Sequence, residues 1–334
     1  MARVVRFHEY GGPEVLRFET MAVAEPGPGE IRIAVRALGL NRAEALMRAG
    51  TYIEKPALPS GLGLEASGVV QSIGPDVAGF APGDAVSIIP PISMARWPAY
   101  GEIVTFPASH VVKHPASLGW EAAAALWMSF LTAYGALVDI GGLRRGEFVV
   151  VTAASSSVGL AAIQIANMIG AIPIATTRSF AKAPALRAAG APHVIASGEE
   201  DLAARLEEIA GANGVRLVFD AVGGPDFEPL TAAMAKGGML IEYGGLSPQP
   251  TPFPLFDVLR KCLSLRGYLV HEIIADPQRL RAATTFILDG LAAGRLAPVI
   301  ARTFPFDEIV EAHRYLESNE QFGKVVVTIP PGSD

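Results

Sequence analysis

Residues 148–182 have the sequence pattern of a strand, a helix and a second strand. Four consecutive β-prone residues, Phe148–Val151, predict a buried parallel strand, and a run of small residues leads from it directly into an amphipathic helix that ends near Gly170. A second strand is predicted over Ile172–Thr177. Backbone N–H groups at a helix N-terminus attract anions, so the turn between the first strand and the helix is expected to bind phosphate.

This expected phosphate-binding turn departs from the usual glycine pattern. Ser156 and Ser157 stand where glycines are often found. Serine is still small enough to allow a close approach, and its hydroxyl group can donate a hydrogen bond to a phosphate oxygen. The interpretation as a phosphate-binding turn therefore stands.

The end of the second predicted strand indicates which dinucleotide fits. NAD-dependent enzymes normally have Asp or Glu there to accept hydrogen bonds from the ribose 2′-hydroxyl, whereas a 2′-phosphate requires cations. Here there is no acid, and the residues are Thr177, Arg178 and Ser179, with Lys182 beyond them. We expect NADPH as the cofactor. The alternative, that Arg178 and Lys182 are only solvated charges at the start of a surface helix, is less favoured.

Length and composition indicate a two-domain protein that acts on a small molecule. The chain has 334 residues, of which 50% are hydrophobic, and a net charge of −6 that argues against nucleic acid as a partner. It lacks the apolar core of a signal peptide and any apolar run of about 18 residues, so we expect a cytoplasmic protein and no membrane partner. Cys262, the single cysteine, excludes an intrachain disulfide and is expected to be buried.

The sequence divides by pattern into two parts. Residues 1 to about 125 contain short β-like segments separated by Gly- and Pro-rich turns, which is typical of a mainly antiparallel β domain. After residue 182, predicted strands alternate with helices, which indicates a doubly wound parallel sheet, and a hinge is expected near residues 125–132. Ligands bind beyond the carboxyl ends of such strands, where the sequence places Val222, Gly223, Gly244, Leu269 and Val270.

Several side chains before the hinge have two interpretations. Asn41 precedes a short helix, so capping explains it, and core packing explains Tyr52. Glu65 is a lone acid among small and apolar residues, and we expect a surface or hydrogen-bonded structural residue rather than a catalyst. Three residues either line a hydrophobic substrate mouth or fill the core, and the sequence favours neither: Met94, Trp97 and Tyr100.

Taken in order, these pieces resemble the medium-chain dehydrogenase/reductase superfamily and, within it, the zinc-free quinone oxidoreductases. The resemblance runs over the full length. It is carried by N-R-A-E-A-L-M-R-A-G-T-Y (41–52), G-L-E-A-S-G-V-V (63–70), P-G-D-A-V (82–86), L-T-A-Y-G-A-L (131–137), V-V-V-T-A-A-S-S-S-V-G-L-A-A-I-Q-I-A (149–166), V-F-D-A-V-G-G (218–224) and E-A-H-R-Y-L-E with F-G-K-V-V-V (311–327).

The resemblance implies an α/β protein with a GroES-like, mainly-β outer domain and a doubly wound Rossmann domain. The outer domain is predicted over residues 1–126, completed by 271–334, and the Rossmann domain over 127–270. NADPH would bind in the cleft between them, and the protein would form a homodimer. Asn41 and Tyr52 would orient the acceptor and stabilise a developing oxyanion. The cofactor would contact Thr132 at its carboxamide, Ser156, Ser157 and Val158 at its pyrophosphate, and Phe322, Gly323 and Lys324 at its nicotinamide end.

The residues at positions 41 and 64 indicate whether the protein binds a catalytic zinc ion. The zinc-dependent branch of the superfamily has a Cys where Asn41 stands and a His where Leu64 stands, and neither residue present here supplies such a ligand. No catalytic metal is therefore expected. Without this Lewis acid, simple alcohol oxidation loses its means of polarising the oxygen, whereas a conjugated acceptor requires it less.

The function that the resemblance implies is an NADPH-dependent, zinc-independent reduction of a quinone or an α,β-unsaturated carbonyl. One alternative is an enoyl-thioester reductase, which would require a basic rim that the 93–100 region lacks. The other alternative is an NADPH-binding sensor or structural protein without turnover, and the acidic net charge argues against a relative that binds RNA.

Overall fold

The computed structural model describes residues 1–115 and 117–331, and the chain divides into two compact units. The first unit comprises Met1–Met128 and the chain from Pro298 onwards, and the second comprises Ser129–Ala297. The first boundary lies inside the expected hinge, residues 125–132.

The second boundary lies after Ala297, whereas the sequence pattern predicts it after residue 270. The intervening residues pack within the second unit. The side chain of Gln164 exchanges two hydrogen bonds with the backbone of Ala297, at 3.0 and 2.8 Å. The rings of Tyr134 and Phe286 are 5.1 Å apart. Residues 271–297 therefore belong to the second unit, because their partners lie there.

The described residues form the following elements in chain order. The strands are Ala2–Phe7 (β1), Leu16–Met21 (β2), Glu30–Gly39 (β3), Ser60–Gly61 (β4), Glu65–Ile73 (β5), Ala85–Ile88 (β6), Ile103–Pro107 (β7), Val111–Lys113 (β8), Phe148–Val151 (β9), Ile172–Thr177 (β10), His193–Ala196 (β11), Val215–Asp220 (β12), Met234–Glu242 (β13), Ser264–Gly267 (β14), Ile300–Pro305 (β15) and Lys324–Thr328 (β16). The α-helices are Arg42–Arg48 (α1), Trp120–Ala124 (α2), Trp127–Tyr134 (α3), Ser157–Ile169 (α4), Ala183–Ala188 (α5), Leu202–Ala210 (α6), Phe227–Ala232 (α7), Leu255–Lys261 (α8), His271–Ile274 (α9), Pro277–Ala292 (α10) and Ile309–Ser318 (α11). Among the described residues, no helix combines the length and the apolar character needed to cross a membrane.

The first unit is built from two β-sheets. The smaller has the order β2-β1-β4, and the larger runs β15-β16-β3-β5-β6-β8 with β7 also paired to β3. Strand β3 shows the alternation expected for one buried face, since Ile31, Ile33 and Val35 are fully buried. Strand β16 pairs antiparallel with β3, with Val326 opposite Gly39, so the C-terminal segment completes this sheet.

The second unit contains a six-stranded parallel sheet with the order β11-β10-β9-β12-β13-β14. Strand β9 reads F-V-V-V, with Val149, Val150 and Val151 fully buried, as expected for a strand covered on both faces. The strand order reverses between β9 and β12, which creates a crevice at the carboxyl ends of these two strands. The predicted fold class, a mainly-β GroES-like domain with a doubly wound Rossmann-type sheet, is confirmed.

Cys262 is exposed, which corrects the expectation of a buried thiol. It follows α8 in a left-handed conformation, with φ of 53°. The apolar residues around it differ in exposure, since Leu259 is 64% exposed whereas Leu263, directly after Cys262, is buried. An apolar sequence context therefore did not indicate burial at this position.

Candidate active site

The turn after β9 is shaped by the cap of helix α4. Ser156 is the N-cap residue, and its Oγ accepts a hydrogen bond from the backbone N–H of Gly159 at 3.0 Å. Because the oxygen is the acceptor in this bond, the hydroxyl proton of Ser156 remains able to donate to a ligand. The other N–H groups of the first helical turn have no carbonyl partner in the helix, and the helix dipole adds partial positive charge there. This turn fits an anionic group.

The serines in place of glycines are compatible with this geometry. Ser156 has extended backbone angles, and the left-handed residue of the turn is Ala153, with φ of 45°. Gly159 is the position that requires glycine, because a Cβ atom there would lie 2.7 Å from both the Cα and the carbonyl oxygen of Ala154. Close packing of the helix on the turn therefore depends on Gly159 and not on residues 156 and 157.

Two cations lie at or near the carboxyl end of β10. Arg178 is exposed and, within residues 1–115 and 117–331, its guanidinium group forms no ion pair or hydrogen bond. The Nζ atom of Lys182 lies 3.3 Å from the Oγ atom of Ser155, which brings a positive charge onto the phosphate-binding turn. The residue types and their placement fit a dinucleotide with a 2′-phosphate.

A hydrogen bond joins the carboxyl ends of β9 and β12 at the reversal of strand order. Thr152 Oγ1 donates to Asp220 Oδ1 at 2.6 Å. Asp220 is fully buried and also accepts from the backbone N–H groups of Val222 at 2.9 Å and Gly223 at 3.1 Å. Val222 and Gly223 were predicted site residues and Asp220 was not, although a single acid at the end of an apolar strand was a signal for it.

Glu242 was also missed, and it lies beside Asp220. The two residues are direct partners in the register of β12 and β13. Burial, followed by the charge of Asp220, raises the pKa of Glu242 to about 9. The next residue, Tyr243, stacks on Phe219 with ring centroids 4.0 Å apart. The carboxyl edge of the sheet thus carries titratable side chains that the sequence pattern did not single out.

The remaining predicted residues of the second unit occupy defined places. Val158 lies in the first turn of α4, Thr177 ends β10, and Ser179 follows it. Gly244 follows β13, and Leu269 and Val270 follow β14. Thr132 is buried in α3. Apart from Thr132, the predicted cofactor-binding residues of this unit cluster at the carboxyl ends of the strands.

In the first unit, Asn41 is buried and its amide group is engaged internally. Its side chain and that of Glu44 form a capping box at the start of α1. The Nδ2 atom donates to Gly39 O at 3.1 Å, with Glu65 Oε1 at 3.2 Å and Glu44 Oε1 at 3.3 Å as further acceptors. The amide protons are directed at these internal acceptors, which hold Asn41 at the start of α1. Its expected role at a substrate oxyanion stays a prediction.

Lys324 is also used inside the first unit. Its side chain is 1% exposed, its Nζ donates to Asn41 Oδ1 at 2.6 Å, and it forms an ion pair with Glu65. Glu65 Oε2 in turn accepts from the backbone N–H of Met128 at 3.0 Å. The ammonium group of Lys324 thus has buried partners in the first unit, and the expected approach of Lys324 to a nicotinamide stays a prediction. Of the two alternatives expected for Glu65, a surface residue or a hydrogen-bonded structural residue, the structure has the second, since Glu65 is fully buried.

The same buried network continues through Glu44. The hydroxyl group of Tyr100 donates to Glu44 Oε2 at 2.5 Å and lies 3.2 Å from His313 Nε2. Burial raises the pKa of Glu44 to about 7, and burial lowers the pKa of His313 to about 3. Tyr100 thus belongs to the buried core and not to a substrate mouth. Met94 is buried as well, and Trp97 packs against this core.

The last predicted residues of the first unit differ in their surroundings. Tyr52 is half-buried against the core, and burial raises the pKa of its hydroxyl group. Phe322 is half-buried, directly before β16. Gly323 has φ of 104°, and a Cβ atom there would lie 2.3 Å from Val299 O, so the turn into β16 requires glycine. Packing and backbone geometry explain Gly323, and Tyr52 keeps a free hydroxyl group, since it makes no hydrogen bond within the described residues.

Comparison with known proteins defines the family. The model described as "Alcohol dehydrogenase GroES-like domain" matches residues 27–116, and that described as "Zinc-binding dehydrogenase" matches residues 157–289. Quinone oxidoreductase 1 of Escherichia coli is 33% identical over 331 residues, which are 97% of this chain and 98% of that protein. The chain belongs to the medium-chain dehydrogenase/reductase superfamily. Within it, the prediction of the quinone oxidoreductase-like branch is confirmed.

Solved structures give the same assignment. A crystal structure of Escherichia coli quinone oxidoreductase complexed with NADPH superimposes with a TM-score of 0.90 and 31% identity, over 98% of this chain and 100% of that chain. A structure described as an NAD-dependent alcohol dehydrogenase has a TM-score of 0.87 and 35% identity over 98% and 100% of the two chains. These two neighbours differ in their named cofactors, so the cofactor has to be argued from the residues of this chain.

Proposed function

We propose that the protein is an NADPH-dependent, zinc-independent oxidoreductase that transfers hydride to a quinone or an α,β-unsaturated carbonyl. The observation that carries the proposal is Arg178, an exposed guanidinium group at the end of β10 that has no partner among the described residues, at the place where an enzyme specific for NAD has an acid. The similarity to a quinone oxidoreductase over nearly the whole chain supports the acceptor class.

The second unit has the groups that hold a dinucleotide. The pyrophosphate would lie at the N-terminus of α4, against Ser156, Ser157 and Val158, because uncompensated N–H groups and a free hydroxyl proton meet there. The 2′-phosphate would lie against Arg178, with Thr177, Ser179 and Lys182 around it. The remaining contacts would come from Thr132, Val222, Gly223, Gly244, Leu269 and Val270.

The acceptor chemistry explains why a site without a metal suffices. Bound NADPH supplies the hydride. A conjugated acceptor develops negative charge on its carbonyl oxygen, and a hydrogen-bond donor stabilises that charge. Tyr52 has a hydroxyl group for this role, and the raised pKa keeps its proton in place at neutral pH. Asn41 would act indirectly, by fixing the start of α1 and the backbone around it.

The homodimer is part of this proposal. Strand β14 is at the edge of the sheet in the second unit, and within the described residues no strand pairs with its outer side. The neighbouring α8 region exposes Phe253, Phe256 and Leu259 at 65%, 79% and 64%. An open strand edge beside an exposed apolar surface fits a second copy of this chain, since symmetric dimers are the commonest oligomers.

A second candidate function is an NAD-dependent alcohol dehydrogenase, which the 35% identical neighbour favours. Asn41 and Leu64 argue against it, because a zinc-assisted alcohol oxidation requires ligands that these side chains do not supply. Among the described residues, no group of three or more His, Cys, Asp or Glu side chains is placed to hold a metal ion.

The experiment that tests the proposal measures cofactor turnover with the purified protein. NADPH and NADH oxidation are followed with quinones, enals and enoyl thioesters, and NAD⁺ reduction is followed with alcohols, before and after dialysis against EDTA. We expect NADPH oxidation that depends on the quinone or enal and survives EDTA. Activity only with alcohols and added zinc would establish the second candidate, and NADPH binding without turnover on any acceptor would establish a binding protein.

A further inference from the structure

Asp220 and Glu242, at the carboxyl ends of β12 and β13, differ in the number of hydrogen bonds that they accept. Asp220 accepts three, from Thr152 Oγ1 and from the backbone N–H groups of Val222 and Gly223. Glu242 lies next to it in the strand register, and both of its carboxylate oxygens are buried without a hydrogen-bond partner of normal geometry. Donors thus stabilise a negative charge on Asp220, whereas within the described residues Glu242 has only a weak interaction with the backbone N–H of Gly244.

No cation relieves this arrangement within the described residues. The titratable neighbours of Glu242 are Asp220 on β12 and Tyr243, the next residue in the chain. Asp226, directly before α7, interacts in turn with Asp220. On β14 the register partner of Glu242 is Gly267. The nearest cation of β14, Arg266, is paired with Glu272. Two ionised carboxylates here would repel each other in a buried setting.

A proton on Glu242 resolves both problems. The protonated carboxyl group is neutral, so the repulsion from Asp220 disappears. Its O–H group also supplies a donor between the two side chains, which as carboxylates present only acceptors to each other. The pKa of about 9 agrees, with burial as the larger cause and Asp220 as the second, while the backbone N–H of Gly244 acts weakly in the other direction.

The Glu242 carboxyl group lies close to the expected ligand site, because it adjoins the point where the strand order reverses. A Cβ atom on Gly223 would lie 3.8 Å from Glu242 Oε2, so the carboxyl group borders the turn after β12. That turn is part of the crevice where ligands of doubly wound sheets bind. A dinucleotide carries several negative charges, and a second ionised carboxylate at this edge would oppose its binding.

We propose that Asp220 and Glu242 share one proton, carried by Glu242, and that this proton allows an anionic dinucleotide to bind at the carboxyl edge of the sheet. The proposal rests on the function proposed above and adds Glu242 as a residue that determines how dinucleotide affinity depends on pH. Glu242→Gln keeps the shape and the neutral state of the side chain and removes its ionisation.

The proton itself is tested on the protein without cofactor. Infrared difference spectroscopy between pH 8 and pH 10, a range in which Glu44 with its pKa of about 7 is already mostly ionised, should show the loss of a protonated carboxylic acid band in the wild type, and this loss should be absent from Glu242→Gln. A wild type without the band would overturn the proposal whatever the protein does with NADPH. Stoichiometric binding of Mg²⁺ or Ca²⁺ at neutral pH, lost in Glu242→Gln, would also overturn it, because such a site requires both carboxylates ionised.

The link to the ligand is tested by NADPH binding, measured by fluorescence as a function of pH. We expect wild-type affinity to fall about tenfold more than that of Glu242→Gln between pH 8 and pH 10, with the two proteins within about twofold of each other at pH 7. The wild type and Glu242→Gln both contain Arg178 and Lys182, so a titration of any other group at alkaline pH affects both proteins equally. Parallel curves would overturn the proposal, whereas no NADPH binding to either protein at pH 7 would instead refute the proposed function.

Discussion

The ammonium group of Lys324 donates a hydrogen bond to the side-chain oxygen of Asn41 at 2.6 Å, in a part of the first unit where Lys324 is 1% exposed. The same ammonium group is paired with Glu65, which is fully buried. A positive charge of the chain itself therefore lies between an amide oxygen and a carboxylate. It fixes Asn41 at the start of α1 and joins β16, α1 and β5 in one buried network.

Removing this charge should destabilise the first unit strongly. Lys324→Met removes the counter-charge of Glu65 in a buried setting, a loss of about 3–5 kcal/mol in the free energy of unfolding. Urea denaturation measures the change, and Lys55→Met, at an exposed position of the same unit, is the matched control. Adding Glu65→Gln should recover part of the loss. A Lys324→Met variant as stable as the control would show that the ion pair contributes nothing.

The stability of the first unit should also depend on pH through Glu44. Its pKa in the folded protein is about 7 against 4.5 for the ordinary value, with burial as the main cause. A raised pKa means that this contribution is fully present below pH 4.5 and is lost as the pH rises through 7, a change of about 3 kcal/mol. The stability of the wild type relative to Glu44→Gln should therefore fall between pH 4.5 and 7.5. The exposed Glu320→Gln variant should show no such trend, and a flat difference for Glu44→Gln would contradict the expected titration.

The local parts of this structure could be predicted from the sequence, and the buried network could not. Strand β9, helix α4 and strand β10 lie where the pattern places them, because apolar periodicity, a small-residue turn and Gly170 are signals within a few residues of each other. Lys324 and Asn41 are 283 residues apart, and nothing in either local sequence indicates that they meet. A lysine beside an apolar strand is normally taken as exposed, which is why its burial was missed.

The glycine requirement of the phosphate-binding turn should be confined to Gly159. Gly159→Ala places a Cβ atom 2.7 Å from backbone atoms of Ala154, so the helix has to move away from the turn. We expect a loss of about 1–3 kcal/mol in stability from this overpacking and a clearly weaker affinity for NADPH. Thermal denaturation and fluorescence titration measure the two effects. Gly119→Ala, where the nearest atom outside the local backbone is 3.7 Å away, is the control, and equal behaviour of the two variants would disprove the requirement.

The exposed apolar surface of α8 should mediate self-association. Phe256→Glu introduces a charge where the side chain is 79% exposed in one copy of the chain. If a second copy covers this surface, burying the new charge would cost enough free energy to dissociate the dimer, and the mass measured by light scattering would fall to that of one chain. Met21→Glu, at an exposed apolar side chain of the first unit, should leave the mass unchanged. A dimer that persists in Phe256→Glu would place the interface elsewhere.

The choice between NADPH and NADH should depend on Arg178. A charge-assisted hydrogen bond from a guanidinium group to a phosphate contributes about 1.5–3 kcal/mol, so Arg178→Ala should raise KM for NADPH about 10- to 100-fold. NADH has a hydroxyl group at the same position and no charge to lose, so its KM should change little. Steady-state kinetics with both cofactors and one quinone measure the two effects, and Arg187→Ala on the exposed side of α5 is the control for loss of a nearby charge. Equal effects of Arg178→Ala on both cofactors would mean that the guanidinium group acts on the whole dinucleotide or on the fold, and the assignment of the 2′-phosphate to the end of β10 would then be wrong.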